Sequence, residues 1–204
     1  MKKIILICLL FSSSIVVAQE DNKDRKDINP FRLGLKIGTP NIVGGNVEYV
    51  LPVLNNHIAL FTDLSGFTLD LDEVESSLSY FEIGANIYFS DNGRGFYSSL
   101  SYGSFSVEGT YSDADLIQNG NPVIGEATGK LEVNTVNLKL GAKLGKKFYF
   151  RIEAGYGFGD IPEEITVIGT AGGQSATGTE EIPDVPGIGE SGYALFNFGI
   201  GIAF

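Results

Sequence analysis

Residues 192–204 read GYALFNFGIGIAF, and this stretch decides the fold. Apolar side chains stand at every second position from Ala194 to the terminal Phe204, with mostly small or polar residues between them. Successive side chains of a β-strand point to opposite faces of its sheet, so a period of two predicts a strand with one apolar face.

The same alternation recurs in seven runs upstream, and no stretch has the 3.6-residue spacing of an amphipathic helix. The eight predicted strands cover residues 31–38, 45–51, 57–66, 80–90, 95–107, 131–144, 148–158 and 192–204. Short connections (52–56, 91–94, 145–147) alternate with long ones (67–79, 108–130, 159–191), and the connection 39–44 is intermediate. Outer-membrane barrels have this asymmetry, with short periplasmic turns and longer extracellular loops. The sequence therefore predicts an all-β, eight-stranded antiparallel up-and-down transmembrane β-barrel over residues 31–204.

The polar face of the predicted strands distinguishes a membrane barrel from a soluble one, since soluble barrels alternate too but turn their apolar side chains inward. Five bases and four acids share this face, and we predict that they form a structural charge network in the lumen: Arg32, Lys36, Glu48, Asp63, Glu82, Lys139, Lys143, Arg151 and Glu153. Unpaired ions in a confined space are costly, so near balance of charge favours a lumen. A solvated sheet face is the competing interpretation.

Aromatic residues lie near the predicted strand ends, as interfacial girdles require. They are Phe31, Tyr49, Phe89, Phe96, Phe148, Phe158 and Phe204. Ordinary β-propensity enriches the same residue types, which is the alternative explanation.

The N-terminus predicts export. Lys2 and Lys3 precede the apolar segment 4–11, and Val16 and Ala18 supply short side chains at the −3 and −1 positions of a cleavage site. The uncharged stretch 4–18 is shorter than the roughly 20 residues of a membrane helix. We predict a signal peptide over 1–18 and a flexible periplasmic lead-in over 19–30. The sole cysteine, Cys8, would leave with the signal peptide, so the mature chain would have no disulfide.

The last strand resembles the C-terminal assembly signal of outer-membrane barrels, in which a terminal Phe follows alternate apolar or aromatic residues. The matching residues are Phe196, Phe198, Ile200, Ile202 and Phe204, and Ile202 stands where the family commonly has an aromatic residue. Residues 31–204 as a whole resemble the small eight-stranded outer-membrane barrels of the porin family typified by OmpA, OmpX and OmpW. The resemblance implies periplasmic chaperones and the barrel-assembly machinery as partners, outer-membrane lipid and lipopolysaccharide as surroundings, and two periplasmic termini. It implies no single activity.

Candidate catalytic and metal-binding residues are sparse. The one histidine, His57, falls in a predicted periplasmic turn without a positioned partner, and Asp113 and Asp115 have no orienting group. The acidic stretch 70–75 lacks the glycine and the ligand spacing of a calcium loop. We therefore predict that the protein is not an enzyme and has no catalytic residue, metal or cofactor. Its net charge of −11 argues against nucleic acid as a partner.

The predicted function is that of a non-enzymatic outer-membrane barrel, structural or surface-binding, with long acidic extracellular loops. The loops 108–130 and 159–191 are expected to be mobile contact surfaces for an unknown extracellular ligand. Eight strands enclose an interior that side chains can just fill, so we expect a polar plugged lumen. Two alternatives remain: a narrow channel or transporter for small or apolar solutes, and a soluble exported lipocalin-like binding barrel.

Overall fold

The computed structural model describes residues 28–71, 73–90, 93–118, 121–182 and 187–204. The predicted signal peptide and most of the predicted lead-in lie outside these residues. The strands are β1 (Phe31–Thr39), β2 (Ile42–Val50), β3 (Ile58–Leu71), β4 (Val74–Tyr88), β5 (Gly95–Gln118), β6 (Asn121–Gly145), β7 (Phe148–Phe158), β8 (Glu164–Ala171), β9 (Gln174–Glu181), β10 (Ile188–Gly189) and β11 (Gly192–Ala203), with one 3-10 turn at Leu54–Asn56. No helix among the described residues is both long and apolar enough to cross a membrane.

Eight of these strands close into a ring, in which each strand pairs antiparallel with both neighbours. The order is β1, β2, β3, β4, β5, β6, β7 and β11. Strand β11 closes the ring by pairing with β7 on one side and with β1 on the other. Neighbours in the ring follow one another along the chain, apart from the insertion before β11, so the topology is up-and-down. The predicted all-β class and eight-stranded antiparallel barrel are confirmed.

The two ends of the ring differ in their connections. At the turn end, short connections join β2 to β3, β4 to β5 and β6 to β7. At the opposite end, which we call the loop end, the prediction of an intermediate connection 39–44 was wrong. Strands β1 and β2 pair as far as Gly38 and Ile42, and only Pro40 and Asn41 lie between the two strands.

Most described residues of the long connections belong to paired strands, whereas mobile loops were predicted. The β3–β4 hairpin runs on to Leu71 and Val74, and β5 and β6 continue to Gln118 and Asn121. The third connection contains the β8–β9 hairpin, which turns at two glycines of positive φ, Gly172 and Gly173. Glycine suits the tight turn of a two-residue hairpin because it adopts positive φ without strain.

These segments form one sheet beyond the ring, which we call the extension. It comprises residues 66–71 of β3, 74–79 of β4, 106–118 of β5 and 121–132 of β6, followed by β8 and β9. Strand β8 pairs with β6 from Glu126 to Gly129, so the extension continues the barrel wall on one side. On the β1–β2 side the wall ends at the two-residue turn. The barrel therefore has one tall side and one low side.

Candidate functional site

All nine predicted lumen residues lie inside the ring. Each is at most 4% exposed: Arg32, Lys36, Glu48, Asp63, Glu82, Lys139, Lys143, Arg151 and Glu153. Their sequence neighbours point the other way; Ile83 and Leu140, for example, are 53% and 65% exposed. The strand alternation thus places polar side chains inside the ring and apolar ones outside it.

Glu48 is the centre of the first charged cluster. Its Oε1 lies 2.6 Å from Nη1 of Arg32, and both carboxylate oxygens lie 2.6 Å from Nζ of Lys143. The amide of Asn86 and the hydroxyl of Tyr88 also donate to this carboxylate, at 2.7 and 2.8 Å. Two cations and two neutral donors therefore compensate one buried acid, as a carboxylate removed from water requires.

Glu153 is the centre of the second cluster. Its carboxylate pairs with Lys36 at 2.8 Å and with Arg151 at 3.1 Å, and accepts a hydrogen bond from the Tyr97 hydroxyl at 2.8 Å. Lys36 also pairs with Asp63. The charged groups of this cluster neutralise one another across several strands.

The remaining acid, Glu82, completes the second cluster on its far side. It pairs with Lys139 at 2.6 Å and accepts hydrogen bonds from Ser101, Asn137 and Tyr80. Lys139 also lies 4.0 Å from Glu153. Every predicted lumen charge is therefore in contact with a charge of the opposite sign.

The nine lumen residues comprise five basic and four acidic side chains, and aromatic rings lie against the basic ones. The Lys143 ammonium is 4.9 Å from the centre of the Tyr149 ring, and that of Lys139 is 5.0 Å from the Phe61 ring. Such contacts stabilise cations that have left water. Sequence reasoning gave no role to the rings or to the neutral donors, although they stand at inward positions of the same strands.

Inward glycines provide the space that these rings occupy. A Cβ at Gly141 would overlap the Tyr97 ring, and one at Gly201 would overlap the hydroxyl end of Tyr149. Glycine is therefore required at both positions for close packing inside the ring.

Clusters of apolar and tyrosine side chains pack near both ends of the lumen. At the turn end, Val50, Ala59, Tyr88 and Tyr97 pack together, with Ile28 against them. At the loop end the packed residues are Val133, Tyr193, Leu195, Leu131 and Ile161. The charged clusters occupy the space between the two apolar layers, so side chains fill the interior, as the width of an eight-stranded barrel allows.

The outward face of the ring is a belt without charge. Among the described residues, no Asp, Glu, Lys or Arg occupies an outward position in the ring strands below the extension. The five residues that resemble an assembly signal belong to this belt, on β11 or directly after it, and are exposed: Phe196, Phe198, Ile200, Ile202 and Phe204. The turn end carries an aromatic row in which Phe31 lies 4.9 Å from Tyr49 and 6.5 Å from Phe204, measured between ring centres.

The extension has the opposite polarity. At inward positions it carries half-buried apolar side chains: Leu78, Val107, Leu131, Ile165 and Val167. At outward positions it carries exposed acids: Glu75, Glu108, Asp115, Glu126, Glu132 and Glu164. On its inner face lies a pocket of about 440 Å³, lined by Leu116, Val123, Val167, Ala176 and Gly178, with Glu180 as its one acid.

One tyrosine of the extension has a perturbed pKa. The carboxylate of Glu73 accepts a hydrogen bond from the Tyr111 hydroxyl at 3.4 Å, and its negative charge raises the pKa of Tyr111 above the usual value. A charged acid beside a phenol disfavours the phenolate, which has the same sign.

His57 lies between the 3-10 turn and the first residue of β3. Its Nδ1 is 2.7 Å from the backbone oxygen of Tyr88, so the ring is tied to a neighbouring strand. Across the residues that the structure describes, no group of three or more His, Cys, Asp or Glu side chains is placed to hold a metal ion.

No protein-family model matches the sequence, and no curated protein matches it. Among solved structures, the chain is similar to Acinetobacter baumannii CarO, with 13% identity and a TM-score of 0.47 over 89% of this chain and 100% of that one. It is also similar to Acinetobacter baumannii CarO2, with 14% identity and a TM-score of 0.44 over 88% of this chain and 100% of that one. The architecture described above follows from the strand pairing of this chain itself.

Proposed function

We propose that this chain is a non-enzymatic protein of the bacterial outer membrane, with a structural or surface-binding role. Its ring would span the bilayer and its extension would stand outside the cell. The main support for this proposal is the belt of uncharged residues on the outside of a ring that encloses nine charged side chains. In water, such a belt would be an apolar patch far larger than soluble monomers expose, whereas in hydrocarbon it is the expected surface.

The height of the belt supports this placement. On β11 the outward apolar residues run from Phe196 to Phe204. Nine extended residues cover about 27 Å along a strand, or about 20 Å along the barrel axis at a tilt of about 40°. The apolar band of outer-membrane barrels is roughly 25 Å tall. The closed ring also leaves no open sheet edge along the belt, as a membrane span requires.

The two ends of the ring support an orientation. Phe31 and Phe204 exchange backbone hydrogen bonds of 3.1 and 2.8 Å at the turn end. Short turns face the periplasm in barrels of this class. Phe31 and Phe204 would therefore lie on the periplasmic side, and the acidic extension would be extracellular.

The lumen would be a structural plug rather than a steady pore. Ion pairs join side chains from six strands between two apolar layers, and a permeating ion would have to displace them. Breaking such a pair would leave a buried charge without a partner, at a cost of about 3–5 kcal/mol. Large, steady conductance in planar bilayers would contradict this part of the proposal.

The narrow-transporter alternative has one observation in its favour. The apolar inner face of the extension leads to the apolar layer at the loop end, where Leu131 and Val133 are two residues apart on β6. Uptake of a small apolar solute into vesicles that contain the protein would favour transport. The lipocalin-like alternative is disfavoured, because such a barrel turns its apolar side chains inward.

Fractionation of the producing cells tests the membrane proposal. We expect the protein in the outer-membrane fraction, soluble only with detergent, and migrating faster in gels when unheated than when boiled. Recovery from the periplasm or the medium, soluble without detergent, would contradict it.

A further inference from the structure

We infer that the outer edge of β9 is a docking site for an extended, lysine- or arginine-bearing polypeptide segment, which adds to the extension as its next strand. The inference rests on the proposed function, because it places the extension in water outside the membrane. It goes further by naming the edge, the mode of binding and the chemistry of the partner.

Strand β9 is the last strand of the extension. It pairs with β8 from Gln174 to Glu181, and no described strand pairs with its other side. All eight of its residues are exposed. A free edge of this kind offers backbone N–H and C=O groups to a further strand.

The pairing pattern identifies the free backbone groups. The backbone N–H of Ile182 donates to the oxygen of Glu163 at 2.8 Å, so this pair is a hydrogen-bonded one. Hydrogen-bonded and non-hydrogen-bonded pairs alternate in an antiparallel ladder. Residues 176, 178 and 180 therefore direct their backbone groups toward β8, whereas Ser175, Thr177, Thr179 and Glu181 direct theirs to the free edge.

The edge lacks a lysine, a proline and a bulge, and its only charges are the two glutamates at one end, Glu180 and Glu181. Exposed edges are commonly protected by lysine, proline or a bulge. Residues 174–181 read QSATGTEE, and the β8–β9 register runs without a shift from Glu164↔Glu181 to Ala171↔Gln174. A partner can therefore pair along the uncharged residues 174–179, and at Glu180 and Glu181 it must bring compensating charge.

The side chains around the edge define the partner. Inward residues Ala176 and Gly178 are small and border the pocket of about 440 Å³ with Leu116 and Val167. An added strand would extend the wall of this pocket, so small apolar side chains suit its inward positions.

Charge defines the other positions of the partner. From residue 163 to 182 the chain has four glutamates and no lysine or arginine. Glu180 and Glu181 lie at one end of the edge and are both exposed. A strand with lysine or arginine at alternate positions complements them, and an acidic strand, or a second copy of this acidic chain, is disfavoured.

The test measures binding of a labelled peptide of alternating valine and lysine to the full-length protein in detergent micelles. Its controls are a block-shuffled peptide of the same composition and an analogue with glutamate for lysine. Thr177→Pro removes a free-edge N–H and places a ring in the path of the partner, while the pairing with β8 is kept. Thr177→Val is the matched control, since it keeps the N–H and the size of the side chain.

We expect the alternating peptide to bind more tightly than either control peptide, and Thr177→Pro to weaken binding by about tenfold or more while Thr177→Val does not. Equal binding of the shuffled peptide, or unchanged binding to Thr177→Pro, would overturn strand addition. Equal binding of the acidic analogue would overturn the charge assignment. A dimer that Thr177→Pro converts to a monomer would assign the edge to a second copy instead. Fractionation of the same variants separates the two proposals, because a membrane-bound protein that ignores the peptide refutes only this inference.

Discussion

The ring and the extension share strands but differ in which face is apolar, and β6 shows both arrangements in one strand. Near the turn end, its inward residues Lys139 and Lys143 are buried and its outward residues Leu138 and Leu140 are exposed. Near its start the inward residues are apolar, and the outward ones include Glu126, Lys130 and Glu132. The backbone hydrogen bonds between neighbouring strands continue where the apolar face of β6 changes sides. Strand pairing therefore does not determine which face is apolar; in each region the apolar face is the one that suits what surrounds it.

The apolar face changes sides at the same height on the adjacent strands β4, β5 and β6. Asn134 of β6 pairs with Ser104 of β5, which pairs with Phe81 of β4. The hydroxyl of Tyr102 donates to the side chain of Asn134 at 2.9 Å across this line. Outward residues on the extension side of the line are polar or acidic, with few exceptions, and on the ring side they are uncharged and mostly apolar. In the proposed placement, this line marks the outer surface of the hydrocarbon.

The largest expected difference between the two regions concerns their charges. Glu48→Gln would leave Arg32 and Lys143 without their acid inside the ring, and we expect a loss of about 3–5 kcal/mol in unfolding free energy. Glu132→Gln, in the extension, removes an exposed pair with Lys130 at 3.5 Å and should cost less than about 1 kcal/mol. Urea unfolding in lipid vesicles measures both, and equal effects would mean that the lumen charges are not truly isolated from water.

The second comparison uses two outward apolar residues of β6 with similar exposure, Leu140 at 65% and Ile124 at 71%. Leu140→Arg should destabilise the protein by about 2–4 kcal/mol if hydrocarbon surrounds the belt. Ile124→Arg should change stability by no more than about 0.5 kcal/mol, because water already surrounds the extension. The same unfolding experiment compares them, and a tolerated Leu140→Arg would place the belt in water.

The third comparison concerns glycines. Gly141→Ala should push the Tyr97 ring out of its place and cost about 1–3 kcal/mol. Gly178→Ala, on β9, meets no atom within 4 Å and should be neutral or slightly stabilising. The temperature at which the unheated gel band disappears reports the difference. No drop for Gly141→Ala would show that the lumen packs loosely there.

The smallest effect concerns Tyr111, beside Glu73 in the extension. Because its pKa is raised in the folded protein, its contribution to stability is complete below the pKa of a free tyrosine, roughly 10, and is lost as the pH rises through the folded value. Glu73→Gln should lower the pKa of Tyr111. Ultraviolet titration measures this, with Tyr111→Phe identifying the component. An unchanged titration in Glu73→Gln would exclude the carboxylate as the cause.

The sequence alone predicted the ring well and the extension poorly, for one physical reason. The predicted strand 95–107 ends, and the predicted strand 131–144 begins, within a few residues of the line where the apolar face changes sides. Beyond it, the extension still alternates, but with the opposite face apolar and with many serines, threonines and glycines. A strand search based on a constant apolar face therefore stops at this line.

The individual contacts of the lumen were beyond sequence reasoning. Strand alternation places Glu48 and Lys143 at inward positions, but the two residues are 95 positions apart. Their contact depends on the register of several hairpins and on the closure of the ring. Asn86, Tyr88 and Tyr97 likewise become hydrogen-bond donors to acids only when the strands are brought together.

The closure of the ring by β1 and β11 also constrains how the molecule can form. Residues Arg32 to Thr39 find their second partner only in the last strand, where Ala203 to Phe196 complete the ladder. Until β11 has paired with it, β1 keeps an open hydrogen-bonding edge that can capture another chain. Joining two strands that are this far apart along the chain is also slow, because a long loop must close first. A chain whose ring is still open therefore remains prone to association with other chains until β11 has paired with β1.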